Sequence, residues 1–458
     1  MKKQKLNKLI ILSFYFIINF MVLSKAQNTF LTEVDSNGRA TIKAIVPNAS
    51  SVKIIGLGGS YGLYNLNLDF TNKGNNLWEV TLDPAIYSYV TPGFHYYNFQ
   101  VNGVNTVNPN EKTYFGASFW TSGLEIPDPK NDFYNIKDVP HGTIRMQLYN
   151  STVTNNVRRC FIYLPPGYDT KSDEKYPVLF LQHGMNENEF SWHMQGKINF
   201  ILDNLIAEGK ALPMIVVMDN GMSGDYSSLV LKDLLPLVQN NYKIIKDKKS
   251  RAVAGLSMGS GQAADLGMTN SDKFGYIGVF SGSSNVSPTT IAKTVNLNDS
   301  LVLLWVGWGK DDELIGWETT FESQLNKARI NHVKEIFDGG HQWQVWRKCL
   351  YEFAQLLFKP YTYENPFNSL NNINPANNLI VYPNPFNGEF HLKMDNDNLL
   401  ENARYELHRI TGEKILTLNG ERKFAENTIS ETLAISSFNV FLLTVYTKDG
   451  VYNAKIIK

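Results

Sequence analysis

Residues 251–259 have the sequence RAVAGLSMG, and this stretch indicates the class of fold. It contains the pattern G-x-S-x-G, follows a short apolar run at 252–254, and precedes a helix-like segment with Ala263 and Ala264. On such a tight strand-to-helix turn the flanking residues must be small, and the serine hydroxyl is held clear of the sheet. The stretch therefore predicts a nucleophilic serine, Ser257, inside an α/β domain.

The region around this turn alternates between apolar runs and segments of helical spacing. Apolar residues recur at helical spacing over 198–206, and a second helix is predicted over 229–242, with Pro236 as an irregularity. Strands buried on both faces with helices between them are typical of an α/β domain with a mostly parallel sheet. We expect this domain over residues 131–363. Its predicted core strands are 178–181, 214–218, 252–254, 276–280, 301–306 and 333–337.

A serine hydroxyl needs a base within hydrogen-bonding distance to act as a nucleophile. Two histidines follow Ser257 in this region, His332 and His341. His332 enters a predicted strand, whereas His341 lies on the loop after it, where the carboxyl ends of a parallel sheet hold catalytic groups. His341 is therefore the predicted base.

The orienting acid is expected between the serine and the histidine, on the loop after strand 301–306. Spacing alone does not separate three candidates, which are Asp311, Asp312 and Glu313. Asp338 is an outside candidate, because it is too close to His341 in sequence to come from a separate strand.

An oxyanion hole needs two backbone donors. We expect the amide of Met258, the residue after the nucleophile, and the amide of Met185, in the loop after the first core strand. His183 in the same loop has no second histidine or carboxylate at ligand spacing. It is interpreted as loop structure, and neither a metal nor an organic cofactor is expected.

Several tryptophans lie near these loops in sequence and raise two interpretations. One is an aromatic slot for a substrate ring, walled by Trp192, Trp308 and Trp343. The other is a core position for most of them, since large aromatic side chains are normally buried.

Composition limits the class of protein. The 458 residues suggest about three domains. Lys and Arg total 43, as do Asp and Glu, so the basic excess of a nucleic-acid-binding protein is missing. Hydrophobic residues make up 43% of the chain, enough for ordinary cores. Two cysteines, Cys160 and Cys349, exclude a cysteine-based zinc cluster and leave open whether they pair.

The first residues have the pattern of a secretory signal peptide. Lysines precede an apolar run over 9–23, and small residues, Ser24 and Ala26, follow it. Cleavage is expected after Ala26. A membrane anchor is the alternative, but the run is shorter than the ~20 residues needed to cross a bilayer. We therefore expect no stable membrane span in the mature chain.

The α/β region is flanked by two segments that are predicted to be all-β. Residues 27–130 contain short alternating strands and an Asn-Gly hairpin turn at 102–103, as expected of a small sandwich. Residues 364–378 are rich in Asn and Pro and are predicted to be a linker. From residue 379 to residue 458 a second small β-sandwich is expected.

The α/β region contains a set of runs that occur together in one known family. They are RR at 158–159, YLPPGY at 163–168, YPV at 176–178, QHG at 182–184, DNLIAEG at 203–209, PMIVVM at 213–218, RAVAGLSMG at 251–259 and GGHQW at 339–343. Together they resemble carbohydrate esterase family 1, the feruloyl and acetyl-xylan esterases of the esterase-D-like α/β-hydrolases. In that family's G-x-x-D motif the acid is the fourth residue, which places it at Asp312.

The resemblance implies a secreted serine esterase that acts on xylan esters of the plant cell wall. Feruloyl esters are the expected substrate, with acetyl-xylan, or both, as the alternative. Two further alternatives are an enterochelin-esterase-like hydrolase and a catalytically silent carbohydrate-binding surface protein.

The flanking regions carry weaker resemblances. VPNA at 46–49, WEV at 78–80 and NP at 108–109 resemble the family 48 carbohydrate-binding domain, an immunoglobulin-like sandwich. YPNPFNG at 382–388, GEK at 412–414 and KIIK at 455–458 resemble the type IX secretion sorting domain, although Asn439 stands where glycine is usual. These resemblances imply the type IX secretion machinery as a partner, and a secreted or cell-surface location.

Overall fold

The structure is a computed structural model. It describes residues 28–58, 66–87, 90–171, 173–222, 225–361, 379–394, 396–409, 414–436 and 440–458. The predicted signal peptide and linker, and Asn439, lie outside the described residues. The chain divides into two compact units, Met1–Tyr361 and Thr362–Lys458.

The first unit begins with two antiparallel sheets that share one core. One has the order β1-β2-β6-β5, and the other has the order β4-β3-β7-β10-β9 with β8 on β7. The strands are β1 Thr29–Val34, β2 Ala40–Ile45, β3 Val52–Gly58, β4 Leu66–Asp69, β5 Thr71–Gly74, β6 Leu77–Leu82, β7 Gly93–Val101, β8 Val104–Thr106, β9 Thr113–Gly116 and β10 Phe119–Ile126.

Alternating side chains fill the core of this sandwich. In β6, Trp78, Val80 and Leu82 are buried while the residues between them are partly exposed. This period of two is the pattern of a half-buried strand. Trp78 is therefore a core residue, as its position in the alternation predicts.

The same unit continues with a sheet of eight strands in the order β11-β12-β14-β13-β15-β16-β17-β18. β13 to β18 run parallel, whereas β11 and β12 pair antiparallel and β12 is antiparallel to β14. The sheet is therefore mixed with a parallel centre. The strands are β11 Thr143–Ser151, β12 Asn156–Leu164, β13 Val178–Gln182, β14 Ile215–Asp219, β15 Arg251–Leu256, β16 Tyr276–Phe280, β17 Leu303–Gly309 and β18 Val333–Phe337.

Helices connect these strands, as the alternating sequence pattern predicts. They are α1 Ile198–Ala207, α2 Tyr226–Ser228, a π-helical segment Leu229–Leu234, α3 Leu235–Asn241, a 3₁₀ turn Lys248–Ser250, α4 Met258–Thr269, α5 Pro288–Ile291, α6 Leu297–Ser300, α7 Ile315–Lys327 and α8 Trp343–Leu356. Pro236 lies near the start of α3, which continues directly from the π-helical segment Leu229–Leu234. β13 to β17 are buried along their whole length, because helices cover the sheet.

The second unit is not all-β, which corrects the sequence prediction. It contains β19 Ile380–Tyr382, β20 His391–Lys393, a 3₁₀ turn Asp397–Leu400, β21 Ala403–Arg409, β22 Lys414–Gly420, α9 Arg422–Ile435, β23 Val440–Thr447 and β24 Gly450–Ile457. Its sheets have the orders β19-β20 and β22-β21-β23-β24. In α9, Ala425, Ile429 and Leu433 recur every four residues and are buried. That helical spacing is present in the sequence of this segment.

No helix in the described parts of the chain is both long and apolar enough to cross a membrane. Cys160 and Cys349 are both buried and do not form a disulfide.

Candidate active site

Ser257 lies on the turn between β15 and α4, with φ 51° and ψ −121°. This conformation is unfavourable for a residue with a side chain, so the surrounding packing must hold it. A Cβ on Gly255 would collide with the carbonyl of Gly259, and a Cβ on Gly259 would collide with the carbonyl of His183. The two glycines of the motif are therefore required by close backbone approach.

Asp312 and His341 reach the serine from the loops after β17 and β18. His341 Nε2 lies 2.8 Å from Ser257 Oγ, and His341 Nδ1 lies 2.9 Å from Asp312 Oδ2. Asp312 Oδ1 also accepts a hydrogen bond of 2.9 Å from the amide of Leu314. His341 and Asp312 are buried, and Ser257 is half-buried. The three side chains form the hydrogen-bonded series that general-base activation of a serine requires.

The other candidate residues lie away from this series. Asp311 and Glu313 are exposed. Asp338 is exposed and forms an ion pair of 2.8 Å with Lys310. His332 Nδ1 contacts the carbonyl of Ile330 at 2.9 Å. Of the acids that spacing left open, Asp312 is the one whose carboxylate contacts His341 Nδ1.

The loop after β13 passes directly beside the serine. A Cβ built on Gly184 would lie 3.5 Å from the Cβ of Ser257. The next residue, Met185, is exposed. Met258 is the first residue of α4, a position whose amide has no acceptor within its own helix. The two backbone segments expected to form the oxyanion hole therefore both border Ser257.

His183 is part of the loop structure. Its ring is buried, and Nδ1 lies 2.7 Å from the carbonyl of Gly184. Burial lowers the pKa of His183 to about 4, so the ring is neutral near pH 7. The described residues include no group of three or more His, Cys, Asp or Glu side chains that could hold a metal ion.

The predicted tryptophan slot requires correction. Trp192, Trp308 and Trp343 are 1%, 0% and 1% exposed, so none of them offers a face to a substrate. Trp192 Nε1 donates to the carbonyl of Gln182, and the Trp192 and Trp343 rings pack edge to face at 5.2 Å. The three rings lie in the core and not at the reaction site, although their positions in the sequence are near the site loops, because large aromatic side chains are normally buried.

Two residues at this site were not predicted from the sequence. Glu187 is buried in the loop after β13, and Tyr96 comes from β7 of the sandwich. Tyr96 Oη donates to Glu187 Oε1 at 2.9 Å. Glu187 Oε2 accepts from the amide of Gly184 at 3.2 Å. The only sequence signal was a carboxyl group three residues after the glycine of the loop, and nothing in the sequence indicated its partner on β7.

The "Esterase" family model matches residues 151–356. An endo-1,4-beta-xylanase/feruloyl esterase from Xylanibacter ruminicola is 34% identical over 345 residues, which cover 71% of this chain and 46% of the relative. Endo-1,4-beta-xylanase Y from Acetivibrio thermocellus is 29% identical over 124 residues, which cover 24% of this chain and 11% of the relative. This chain therefore spans less than half the length of either relative.

Among solved structures, the chain is similar to the enterochelin esterase of Shigella flexneri. The TM-score is 0.54 at 16% sequence identity, and the match covers 74% of this chain and 97% of that one. At this identity the likeness concerns the fold alone. Together, the family match and the xylanase/feruloyl esterase relative place the α/β module in the class of carboxylic ester hydrolases.

Proposed function

We propose that this chain is a serine esterase that removes feruloyl groups from plant cell wall xylan. The observation that carries the proposal is the series from Asp312 through His341 to Ser257, with hydrogen bonds of 2.9 and 2.8 Å. The relative from Xylanibacter ruminicola, whose name includes feruloyl esterase, supports the choice of substrate.

Acylation begins when His341 Nε2 accepts the proton of Ser257 Oγ as the oxygen attacks the ester carbonyl. Asp312 holds the Nδ1–H tautomer of His341 and stabilises the imidazolium that forms. The amides of Met258 and Met185 donate to the carbonyl oxygen as negative charge develops on it. His341 then gives its proton to the departing sugar oxygen, and the acyl group remains on Ser257.

Deacylation repeats these steps with water as the nucleophile. His341 takes a proton from the water, and the hydroxide attacks the acyl-enzyme carbonyl. The same proton returns to Ser257 Oγ as the free acid leaves. One ester and one water thus become one alcohol and one acid, without a metal or an organic cofactor.

The acyl group has a second candidate, acetate. Trp192, Trp308 and Trp343 are buried, which removes the aromatic slot expected for a feruloyl ring and favours a smaller acyl group. Trp120 on β10 supports the feruloyl assignment instead. It is 44% exposed, and it lies two residues after Ser118, whose amide donates to the carbonyl of Asn186 in the loop after β13.

The test is to measure acid release from methyl ferulate and from acetylated xylan, with Ser257→Ala as the matched control. Ferulate release that the variant lacks would support the feruloyl proposal. Acetate release alone would keep the mechanism and change the substrate. If the wild type released neither acid, the esterase proposal would be wrong.

We also infer that the protein is exported. The proposal rests on the signal-peptide pattern of residues 1–26 and on the motifs at 382–388 and 455–458, which resemble a type IX sorting domain. The test is to express the full chain and a chain that lacks residues 379–458 in a bacterium with type IX secretion. We expect the full chain in the medium or on the cell surface and the shortened chain in the periplasm. Equal export of both would contradict the proposed sorting role.

A further inference from the structure

Glu187 is a buried carboxyl group that the proposed mechanism does not use. It is 4% exposed, and no ion pair to it is present among the described residues. Three uncharged donors surround it instead. Tyr96 Oη and Trp343 Nε1 lie 2.9 and 3.1 Å from Oε1, and the amide of Gly184 lies 3.2 Å from Oε2. An uncompensated buried carboxylate is costly, so its position calls for a physical explanation.

The direction of the hydrogen bonds follows from what each group can donate. Gln195 Nε2 contacts the Phe115 carbonyl, which only accepts, so this atom is the amide nitrogen. It also donates to Tyr96 Oη at 2.7 Å, and the single N–H of Trp343 is shared between this oxygen, at 3.0 Å, and Glu187 Oε1, at 3.1 Å. Tyr96 Oη thus accepts from both Gln195 and Trp343. Its own proton is directed to Glu187, which therefore acts as an acceptor on both oxygens.

The two ends of this arrangement lie on the two loops that form the reaction site. Gly184 borders Ser257 and precedes Met185, whose amide is the proposed second oxyanion donor. Trp343 begins α8, two residues after His341. Trp343 also packs on Trp346 at 5.2 Å, and the Trp346 ring meets His341 edge to face at 5.1 Å. One carboxylate thus links the oxyanion loop to the histidine loop.

We propose that Glu187 is a positioning residue for the reaction at Ser257, and that Tyr96 of the β-sandwich holds Glu187 in place. This inference rests on the proposed serine esterase function. The sandwich then contributes to catalysis through a hydrogen bond, whether or not it binds carbohydrate. Loss of the link lets the Gly184–Met185 backbone move, and a misplaced donor stabilises the transition state less well.

Protonation of Glu187 has the same effect as its removal, because a protonated carboxyl loses one of its acceptor positions. Burial raises the pKa of Glu187 to about 7, although the hydrogen bonds from Tyr96, Gly184 and Trp343 oppose this. Tyr96 is the titratable group that β7 brings to Glu187. Trp343 from α8 and the amide of Gly184 do not titrate. Activity is then lost as pH falls through about 7.

The test compares Glu187→Gln and Tyr96→Phe with two matched controls. Glu189→Gln changes another buried carboxylate of the same loop, one that pairs with Arg159 at 2.9 Å. Tyr97→Phe removes a buried hydroxyl from the same strand, but within the core of the sandwich. Hydrolysis of p-nitrophenyl acetate is followed from pH 5 to 9, with Ser257→Ala as the blank and with circular dichroism as the check of folding.

For Glu187→Gln we expect kcat to fall about 10- to 100-fold while KM changes little, because the lost interaction acts in the transition state. On the acid side, the plot of its kcat against pH is expected to depend on one proton fewer than that of the wild type. Tyr96→Phe is expected to lower kcat less. Its kcat is expected to begin to fall at a higher pH than that of the wild type, because the lost hydrogen bond had lowered the pKa of Glu187.

A folded Glu187→Gln protein with the wild-type kcat and acid limb would overturn the inference, as would an equal loss in Glu189→Gln. If the wild-type protein shows no activity above the Ser257→Ala blank on p-nitrophenyl acetate, methyl ferulate or acetylated xylan, the proposed function fails instead.

Discussion

Asp312 and Asp311 are adjacent in sequence but occupy opposite environments. Asp312 is buried against His341, whereas Asp311 is exposed. We expect Asp312→Asn to lower kcat about 10³- to 10⁴-fold, because the amide no longer holds the imidazole tautomer that accepts the serine proton. Asp311→Asn is the matched control and is expected to keep wild-type kcat. Steady-state kinetics on methyl ferulate checks both, and equal effects of the two variants would contradict the assignment of the acid.

Glu187 gives a pH-dependent stability that can be measured without any substrate. Its pKa is raised in the folded state from 4.5 to about 7, so the folded chain binds this proton more tightly than the unfolded chain does. Between those values the wild type loses stability as pH rises. Glu187→Gln carries no such proton. Relative to wild type, we expect its free energy of unfolding to rise by up to about 3 kcal/mol from pH 4 to pH 8.

Urea unfolding at several pH values measures this difference. The comparison at pH 4 is the internal control, because Glu187 is mostly protonated there in both the folded and the unfolded state. A difference between variant and wild type that does not change with pH would show that Glu187 does not titrate in this range. A residue that lowers stability at neutral pH and raises activity fits the general conflict between stability and function at active sites.

The turn between β15 and α4 depends on close contact with the loop after β13. We expect Gly259→Ala to destabilise the fold by about 1–3 kcal/mol and to lower kcat, because the new methyl group meets the His183 carbonyl, which cannot move freely. Gly316→Ala is the matched control. Gly316 lies in α7 with open space around its Cα, so the change is expected to leave kcat unchanged and to stabilise by up to about 1 kcal/mol.

Denaturant unfolding and kinetics on both glycine variants check this prediction. A Gly259→Ala protein as stable and as active as Gly316→Ala would contradict this prediction. It would show that the turn between β15 and α4 can move away from the loop after β13 without loss of stability or activity.

At the scale of secondary-structure elements, the features that the sequence predicted are those that depend on consecutive residues. The G-x-S-x-G turn is local, because strand, turn and helix are consecutive, and so Ser257 could be identified. The choice of Asp312 over Asp311 depends on how the loop folds, which spacing does not reveal. In α9 the apolar residues Ala425, Ile429 and Leu433 fall every four residues, but short neighbouring strands obscured that period.

The contacts of Tyr96 and the tryptophans could not be predicted, because they depend on packing. Tyr96 and Glu187 are separated by 91 positions and meet across two modules. No period or motif within either segment encodes that meeting. The tryptophans were expected near the site from their positions in the sequence, but the direction of each side chain depends on which helix covers which loop.

At the scale of the whole molecule, an ion pair with a buried arginine connects the sandwich to the α/β module. Arg347 on α8 is fully buried and forms two hydrogen bonds with Glu125 on β10, of 2.7 and 3.0 Å. Removing one partner leaves the other charge buried and unpaired. We expect Glu125→Ala to lower the free energy of unfolding by about 3 kcal/mol, the lower end for such pairs, because Glu125 is 31% exposed.

Glu33→Ala is the control for this prediction. Its ion pair with Lys43 lies at the surface of the same sandwich, where solvent screening leaves such pairs with little effect on stability. Thermal or urea unfolding of both variants gives the comparison. Similar losses of unfolding free energy in the two variants would mean that the Arg347–Glu125 ion pair between the modules contributes no more to stability than an exposed ion pair.

These shared contacts also bear on how such a protein can change over evolutionary time. An exchange of the sandwich for an unrelated module would remove Tyr96 and Glu125 together, and would leave Glu187 without the hydrogen bond from Tyr96 and Arg347 without its counter-ion. Recombination between genes is therefore expected to carry the first 361 residues as one inherited block. In descendants of this gene, a substitution at Tyr96 is expected to be accompanied by one at Glu187, and a substitution at Glu125 by one at Arg347.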